Sequence, residues 1–392
     1  MTIRYPYSRQ WVTDADVMQV AEALQQPFLT QGPQVAGFEA DLCTTLGARH
    51  AISCSNGTTA LHLAYLAARL GPSRALITTP VTFLATANAA RMLGATVLFA
   101  DVDPATGNID PDSVEQVIRH AGMEIGAITA VHLAGRPCDM VRLRAIADGI
   151  GCLLIEDGCH ALGARYRHPD GREGRVGDGA LADLSCFSFH AIKHVTSGEG
   201  GAVTTPHAAM AARMRLLRSH GIERDDAALT EKPEDVAPWY YEMHELGFNY
   251  RLPDVFCALG RSQLTRLEES LTRRREIAEA YRALLGNLRH VRLPPEPSFP
   301  EEHAWHLFPI AIDFAGLGTT RGQVMQRLAE AGIGTQVHYM PLYRHPYYRA
   351  LGALRQPGAD TYYEHSLSIP MYPQLTDSDL ETIAAVFRRL LG

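Results

Sequence analysis

Lysine is almost missing from this chain. Of 36 Lys plus Arg residues only two, Lys193 and Lys232, are lysines, and every other basic side chain is arginine. A guanidinium cannot be deprotonated in a protein, so arginine serves where a fixed cation is enough and fails where a neutral amine must attack a carbonyl. A lysine kept in such a chain is a candidate for that second task. Other absences are as restrictive. No uncharged apolar stretch is long enough to span a bilayer, and the opening residues, MTIRYPYSRQ, hold no apolar signal core, so no membrane contact and a cytoplasmic location are expected. A net charge of -7 supplies no basic excess, which argues against nucleic-acid binding through a broad basic surface and leaves room for a local pocket that takes a small anion. The seven cysteines include no CxxC pair, and Cys54, Cys152, Cys159 and Cys186 sit in or beside apolar strand-like runs, as buried thiols of a reducing compartment do. The 17 histidines are scattered, and the pair His190 and His194 lacks the glutamate of an HExxH motif. Neither a disulfide framework nor a metal site is expected.

What the chain does have is alternation. HAISCS precedes a helical TTALHLAYLAARL, RALITTP precedes FLATANAARMLG, TVLFADVD precedes PDSVEQVIRHAG, IGAITAVHLAG precedes DMVRLRAIADGIG, and CLLIEDG closes the series. Strands alternating with amphipathic helices predict right-handed crossovers and a mainly parallel sheet covered on both faces, with ligands beyond the carboxyl ends of the strands. ALADLSCFSFH and GGAVTT add two strands, with a lysine-bearing turn between them. Residues 222–246 read as a long polar loop, and 254–285 as one long helix opened by Pro-Asp. HLFPIAID, RGQVMQRLAEAG, TQVH and a last helix from about Asp377 make a smaller α/β unit. With 392 residues and 46% hydrophobic content, two or three domains are expected. The division expected is 1–260, a large domain with an N-terminal arm, and 261–392, a small C-terminal α/β domain.

Lys193 stands in SFHAIKHVTSGEGGAVTT, and four features reinforce it. Ser55-Asn56-Gly57-Thr58-Thr59 lies between a strand and a helix, where exposed amides and hydroxyls suit a phosphate; the plainer reading is an ordinary helix cap. Asp157 ends an apolar strand in IEDGCHA, with His160 three residues on. A carboxylate there can hold a proton on a heteroaromatic nitrogen, or it can simply open a turn beside a core histidine. Ser188 and His190 fall on one face of the strand that precedes Lys193. Asn249 and Arg251, in GFNYRLPD, follow the long loop and in isolation read as a surface turn. Lys193 alone reads as a solvated lysine. Together the features match the needs of pyridoxal phosphate: a lysine for the imine, an acid for the ring nitrogen, an anion cup, and an aromatic such as Phe83 to stack on. The competing reading is a nucleotide-binding α/β domain without imine chemistry.

FLTQGPQVAGFE, SNGTTALHLA, TTPVTFLATANA, IEDGCHALGARY, SFHAIKHVTSGEGGAVTT, LLRSHGI, WYYEMHELGFNYRLPD and TQVHYMPLY carry a resemblance that covers nearly the whole chain. The sequence resembles the DegT-type sugar aminotransferases of the fold-type I pyridoxal phosphate enzymes. FLTQG, FHAIKH and VHYMP resemble the branch that aminates a UDP-linked 4-keto-6-deoxy sugar in pseudaminic acid biosynthesis. The resemblance implies a large domain with a mainly parallel seven-stranded sheet and a smaller C-terminal domain. It makes Lys193 the Schiff-base lysine, Asp157 the partner of the pyridine nitrogen and His160 a contact to the ring hydroxyl. It assigns Gly57, Thr58 and Ser188 to the phosphate cup, and Asn249 to the phosphate of a neighbouring subunit. Tyr7, Leu29, Thr30, His338 and Tyr339 match stretches that face the sugar nucleotide. A homodimer with shared sites and L-glutamate as amino donor are further implications. Cys159, where relatives usually carry serine, and the long RHPDGREGRVGD turn depart from the family pattern. Alternatives within the resemblance are a different nucleotide keto-sugar (perosamine-like or 3-amino), a sugar dehydratase, in which histidine would replace Lys193, and a regulatory protein that binds the cofactor.

Overall fold

The structure is a computed structural model, and it describes residues 2–168, 170–231, 238–297 and 302–392. Two helices, α1 (Asp14–Leu24) and α2 (Pro33–Leu46), precede the alternating units β1 (His50–Cys54), α3 (Gly57–Ala67), β2 (Arg74–Thr78), α4 (Leu84–Met92), β3 (Val97–Phe99), α5 (Pro111–His120), β4 (Glu124–Val131), α6 (Met140–Ile150) and β5 (Leu153–Asp157). A hairpin of β6 (Arg165–Arg167) and β7 (Glu173–Arg175) leads to β8 (Leu184–Ser188), β9 (Gly201–Thr205) and α7 (Ala208–Arg218). The sheet has seven strands in the order β1-β9-β8-β5-β4-β2-β3. β8, β5, β4, β2 and β3 run parallel, whereas β9 is antiparallel to both of its neighbours. The strands are apolar along their whole length because helices cover both faces; in β4 every residue after Glu124 is buried. One apolar layer joins α2 and α6 to the sheet, and a second joins α3, α4 and α7 to its other face.

The sequence departs from expectation where tertiary contacts decide. The long helix expected over 254–285 is two helices, α8 (Asp254–Leu264) and α9 (Leu267–Leu285), parted at Thr265 and Arg266. At this junction lies Asp16 of α1, a fully buried carboxylate. It accepts hydrogen bonds from Ser262 Oγ at 2.6 Å, Gln263 Nε2 at 2.8 Å and Arg266 at 2.7 Å, and from the Thr13 amide at 2.8 Å. Burial alone would raise the Asp16 pKa, but these bonds hold it below the ordinary carboxylate value. The region 222–246 is not wholly loop, since β10 (Ile222–Glu223) pairs with β11 (Glu242–Met243); residues 232–237 lie outside the described residues. A second sheet, β12 (Val291–Arg292), β13 (Phe308–Ile312) and β14 (Ser366–Ile369), packs with α9, α10 (Arg321–Glu330) and α13 (Asp377–Leu391) around a separate apolar cluster. Two short helices, α11 (Pro346–Ala350) and α12 (Pro357–His365), stand before β14. Within TQVH, Gln336 makes an isolated bridge to Ser368. Tyr5 crosses to this second cluster beside Ile333, so the N-terminal arm is anchored on the C-terminal unit. Among the described residues no helix is long and apolar enough to cross a membrane.

The two units are sewn together below the end of β4. Ala304 and Leu307 donate their amides to the carbonyls of Gly135 and Ala134, at 2.9 and 3.2 Å. Gly135 has φ +102°, and a Cβ there would lie 2.8 Å from the His160 carbonyl oxygen and 3.0 Å from the Trp305 amide nitrogen. Gly135→Ala should therefore cost about 2 kcal/mol or more of stability. Urea unfolding measures it, and an unchanged midpoint would show that this close approach is not required.

Candidate active site

The carboxyl ends of β5 and β8 meet the amino end of α3. Asp157 is the buried last residue of β5, and one of its oxygens accepts from Thr86 Oγ1 at 2.7 Å while the other accepts from the Cys159 amide at 3.2 Å. Thr82, 2.8 Å from the Thr86 hydroxyl, donates to it, because the Thr86 proton is already spent on Asp157. Tyr65, buried on α3, donates to the Thr86 carbonyl at 2.9 Å. Thr86 escaped the sequence reading. Its signal is the four-residue spacing from Thr82 inside TTPVTFLATANA.

At α3, Asn56 and Thr59 cap each other: Asn56 Oδ1 accepts from the Thr59 amide at 2.9 Å, and Thr59 Oγ1 accepts from the Asn56 amide at 3.1 Å. This leaves the Gly57 and Thr58 amides, at the first two helical positions, with no intrahelical acceptor and outside the cap. A Cβ on Gly57 would lie 2.8 Å from Ser188 Cβ and 3.5 Å from Cys159 Sγ, so the glycine lets three chain segments close on one small space. Ser188 ends β8. His190, expected on the same strand face, lies past the strand and is exposed, because its amide turns back to Ser188 Oγ at 3.3 Å.

Lys193 is half-buried in the turn between β8 and β9, its amide bonded to the His190 carbonyl at 2.9 Å. Burial pulls its amine below the ordinary lysine pKa, against the upward pull of Cys159 and Asp157. Around it stand four buried imidazoles. His160 Nε2 is 3.2 Å from the Tyr339 hydroxyl, and the two rings stack at 6.1 Å. His306 lies 4.5 Å from His160 and 5.3 Å from His194, ring to ring. His338 bonds to Ser368 Oγ at 2.9 Å, and Tyr7 packs 5.3 Å from its ring. Burial holds His160, His194 and His306 well below the usual imidazole value and brings His338 down to about 3, with the charge of Lys193 adding to each shift. Phe83, at the start of α4, is 57% exposed and 6.2 Å from the Tyr339 ring, so it forms an open aromatic edge above the cluster.

Not every expected residue joins this group. Leu29 and Thr30 are exposed, on a loop tied to the head of α8 by the bond from the Asp254 amide to the Leu29 carbonyl. Asn249 is exposed as well, and its segment bridges Ser219. Among the described residues none of the three makes a recorded bond or ring contact with the Lys193 cluster. Sequence reading missed His194 and His306, because nothing in their spacing from Lys193 signals that the fold stacks them there. All seven cysteines are free thiols, and burial pushes Cys159, beside the lysine, well above its usual value.

A lysine with a lowered pKa, a fixed carboxylate and helix amides outside the cap are groups that can hold an imine, a ring nitrogen and an anion. The model of the DegT/DnrJ/EryC1/StrS aminotransferase family matches residues 12–388. The chain belongs to this family. Among curated relatives of this aminotransferase, the UDP-4-amino-4,6-dideoxy-N-acetyl-beta-L-altrosamine transaminase of Campylobacter jejuni serotype O:2 is 37% identical, over 96% of this chain and 95% of that protein. The spore coat polysaccharide biosynthesis protein SpsC of Bacillus subtilis is 34% identical, over 98% and 97%. Among solved structures, PseC of Helicobacter pylori, an aminotransferase involved in the biosynthesis of pseudoaminic acid, superposes with a TM-score of 0.89 at 29% identity, covering 99% of both chains. The protein is therefore a sugar aminotransferase with the family's α/β fold, and pyridoxal 5'-phosphate is its cofactor.

The neutral histidines make folding sensitive to acid. A histidine whose folded pKa is depressed binds its proton in the unfolded chain first, so its contribution to stability is whole above the ordinary value of 6.5 and is lost as pH falls below it, down to about 3 for His338. The melting temperature should fall steadily between these limits, and less steeply in His338→Gln. Identical slopes for the two proteins would deny His338 its buried neutral state.

Proposed function

We propose that this aminotransferase transfers the amino group of L-glutamate to C4 of a UDP-linked 4-keto-6-deoxy-N-acetylhexosamine, as a step of pseudaminic acid biosynthesis. The observation that carries the reading is the near full-length match to the Campylobacter jejuni transaminase, and the likeness to PseC supports it. SpsC, matched over a similar span, favours a second reading in which the acceptor is another nucleotide keto-sugar.

The residues fit the cofactor on this chain's own geometry. The unused Gly57 and Thr58 amides and the Ser188 hydroxyl would hold its phosphate, Asp157 its pyridine nitrogen, His160 its ring hydroxyl and Lys193 its carbonyl carbon, with Phe83 against the ring. When bound, pyridoxal phosphate supplies an electron sink for the carbanion left when a proton is removed beside the amine. The chain does the rest. Thr86 and the Cys159 amide fix the Asp157 carboxylate so that it keeps a proton on the ring nitrogen, an interaction that strengthens as negative charge develops. Lys193 Nζ, lowered in pKa, takes the proton from the α-carbon of the donor, and in the second half-reaction it delivers a proton to C4 of the sugar. Tyr7, His338 and Tyr339, whose rings pack in a row, would face the sugar.

Leu29, Thr30 and Asn249, exposed and without contact to the Lys193 cluster among the described residues, serve the site of a second copy in a homodimer, Asn249 reaching its phosphate. Asn249→Ala should then weaken cofactor retention several-fold without altering the dimer, and a wild-type protein that sediments as a fully active monomer would refute the shared site. Lys193→Ala should lose turnover and the visible absorbance of the cofactor-loaded protein while remaining folded; Asp157→Ala should retain cofactor poorly. For the acceptor, absorbance is followed on adding L-glutamate and then the keto-sugar. A band that glutamate removes and the UDP-linked 4-keto sugar restores supports the proposal. A band restored by a different keto-sugar alone selects the second reading.

A further inference from the structure

Arg274, on α9, is 1% exposed and among the largest fully buried side chains of the protein. Among the described residues no carboxylate pairs with it. Its Nη1 donates instead to three carbonyls, those of Trp305 at 2.9 Å, Met371 at 3.2 Å and His306 at 3.3 Å. Burying a cation without an anion costs free energy, and burial alone brings this guanidinium down to about 9. What it holds is the turn 303–306. In that turn Trp305 adopts φ +47°, a region a bulky side chain avoids. Its amide donates to His303 Nδ1 at 2.8 Å, and its ring stacks on that of His303 at 3.7 Å. The turn delivers His306 to the middle of the imidazole group. There the Nδ1 atoms of His160, His194 and His306 are all buried and without a hydrogen-bond partner among the described residues. His194 donates through Nε2 to the Ala304 carbonyl at 2.9 Å, which leaves its Nδ1 a bare lone pair and ties the lysine turn to the same segment.

We propose that Arg274 is a positioning residue for Lys193: by gripping the Trp305 and His306 carbonyls it sets the His306 ring between those of His160 and His194 and closes one side of the amine with uncharged groups. The inference rests on Lys193 being the reacting amine. The groups that act electrostatically on that amine are Asp157 and Cys159 from the end of β5, and its charge in turn acts on His160 from the same segment, His194 from its own turn, His306 from the 303–306 turn and His338 from the segment before Tyr339. Burial keeps the imidazoles and the Cys159 thiol uncharged, so an opened wall would admit water and relieve the amine of its desolvation.

The shortage of lysine makes the test direct. In a Lys232→Arg background Lys193 is the sole lysine, and its titration is read by NMR of ε-13C-lysine in the full-length protein freed of cofactor. The pH midpoint of the visible band in the loaded protein is a second readout. His306→Ala, which leaves the Arg274 charge in place, and Arg274→Met should each raise the Lys193 midpoint by about one pH unit or more, and His306→Phe, which keeps a ring, by well under half of that. Circular dichroism and thermal melts establish that each variant is folded, and if Arg274→Met does not fold, the His306 pair decides. Variants that lower the melting temperature and leave the Lys193 midpoint at its wild-type value would overturn the positioning role and make the arginine structural. A wild-type Lys193 that titrates like a free lysine would instead overturn the assignment of the amine itself.

Discussion

In the proposed reaction Lys193 must be neutral to act, yet it feels a carboxylate, Asp157, that favours its charge, and this opposition is the constraint around which the site is organised. Asp157 pulls the Lys193 pKa up and burial pulls it down, and burial prevails. Each pH unit of that contest is worth about 1.4 kcal/mol. The fold meets the constraint by surrounding the amine with groups that are polar enough to bind a cofactor and are kept uncharged by their own burial. Imidazoles serve because they carry hydrogen-bonding nitrogens and still give up their proton readily when water is removed.

The same logic explains how the acid is kept. Asp157 is anchored by a hydroxyl from α4 and an amide from its own turn, and neither brings a charge that would compete with a ring nitrogen for it. The proposed anion cup is likewise made from amides and a hydroxyl. Apart from the Asp157 carboxylate, the protein brings to this site dipoles fixed before a ligand arrives.

The residues legible in the sequence were those whose chemistry is local. Alternation of strand and helix announced the sheet; Gly57 opens α3, Asp157 and Ser188 end strands, and Lys193 stands in the turn after β8, all places that a linear reading can reach. What escaped it was set by distant partners. The break at Thr265 lies where Asp16, far off in the chain, gathers Ser262, Gln263 and Arg266. His190 missed its expected face because its amide turns back on Ser188. His306 and Arg274 gave no signal because their placement depends on a left-handed tryptophan and on three carbonyls, of residues 305, 306 and 371, that meet α9 only when the C-terminal unit has packed. Remoteness in the chain, and not subtlety of chemistry, separated the two classes.

The position of β9 also shapes how the protein is made. β1 pairs with β9 and with no other strand of the sheet, so it leaves the ribosome early and waits for its neighbour until residues 201–205 follow. Gly201 is also the residue that lets the strand lie against Asn56, where a Cβ would sit 2.3 Å from the Asn56 carbonyl oxygen. The cup at α3 is therefore finished late, by the insertion of a strand between two that were made before it. Contacts so distant in sequence close slowly, and until they do the nascent chain carries an unpaired edge that chaperones would have to shield.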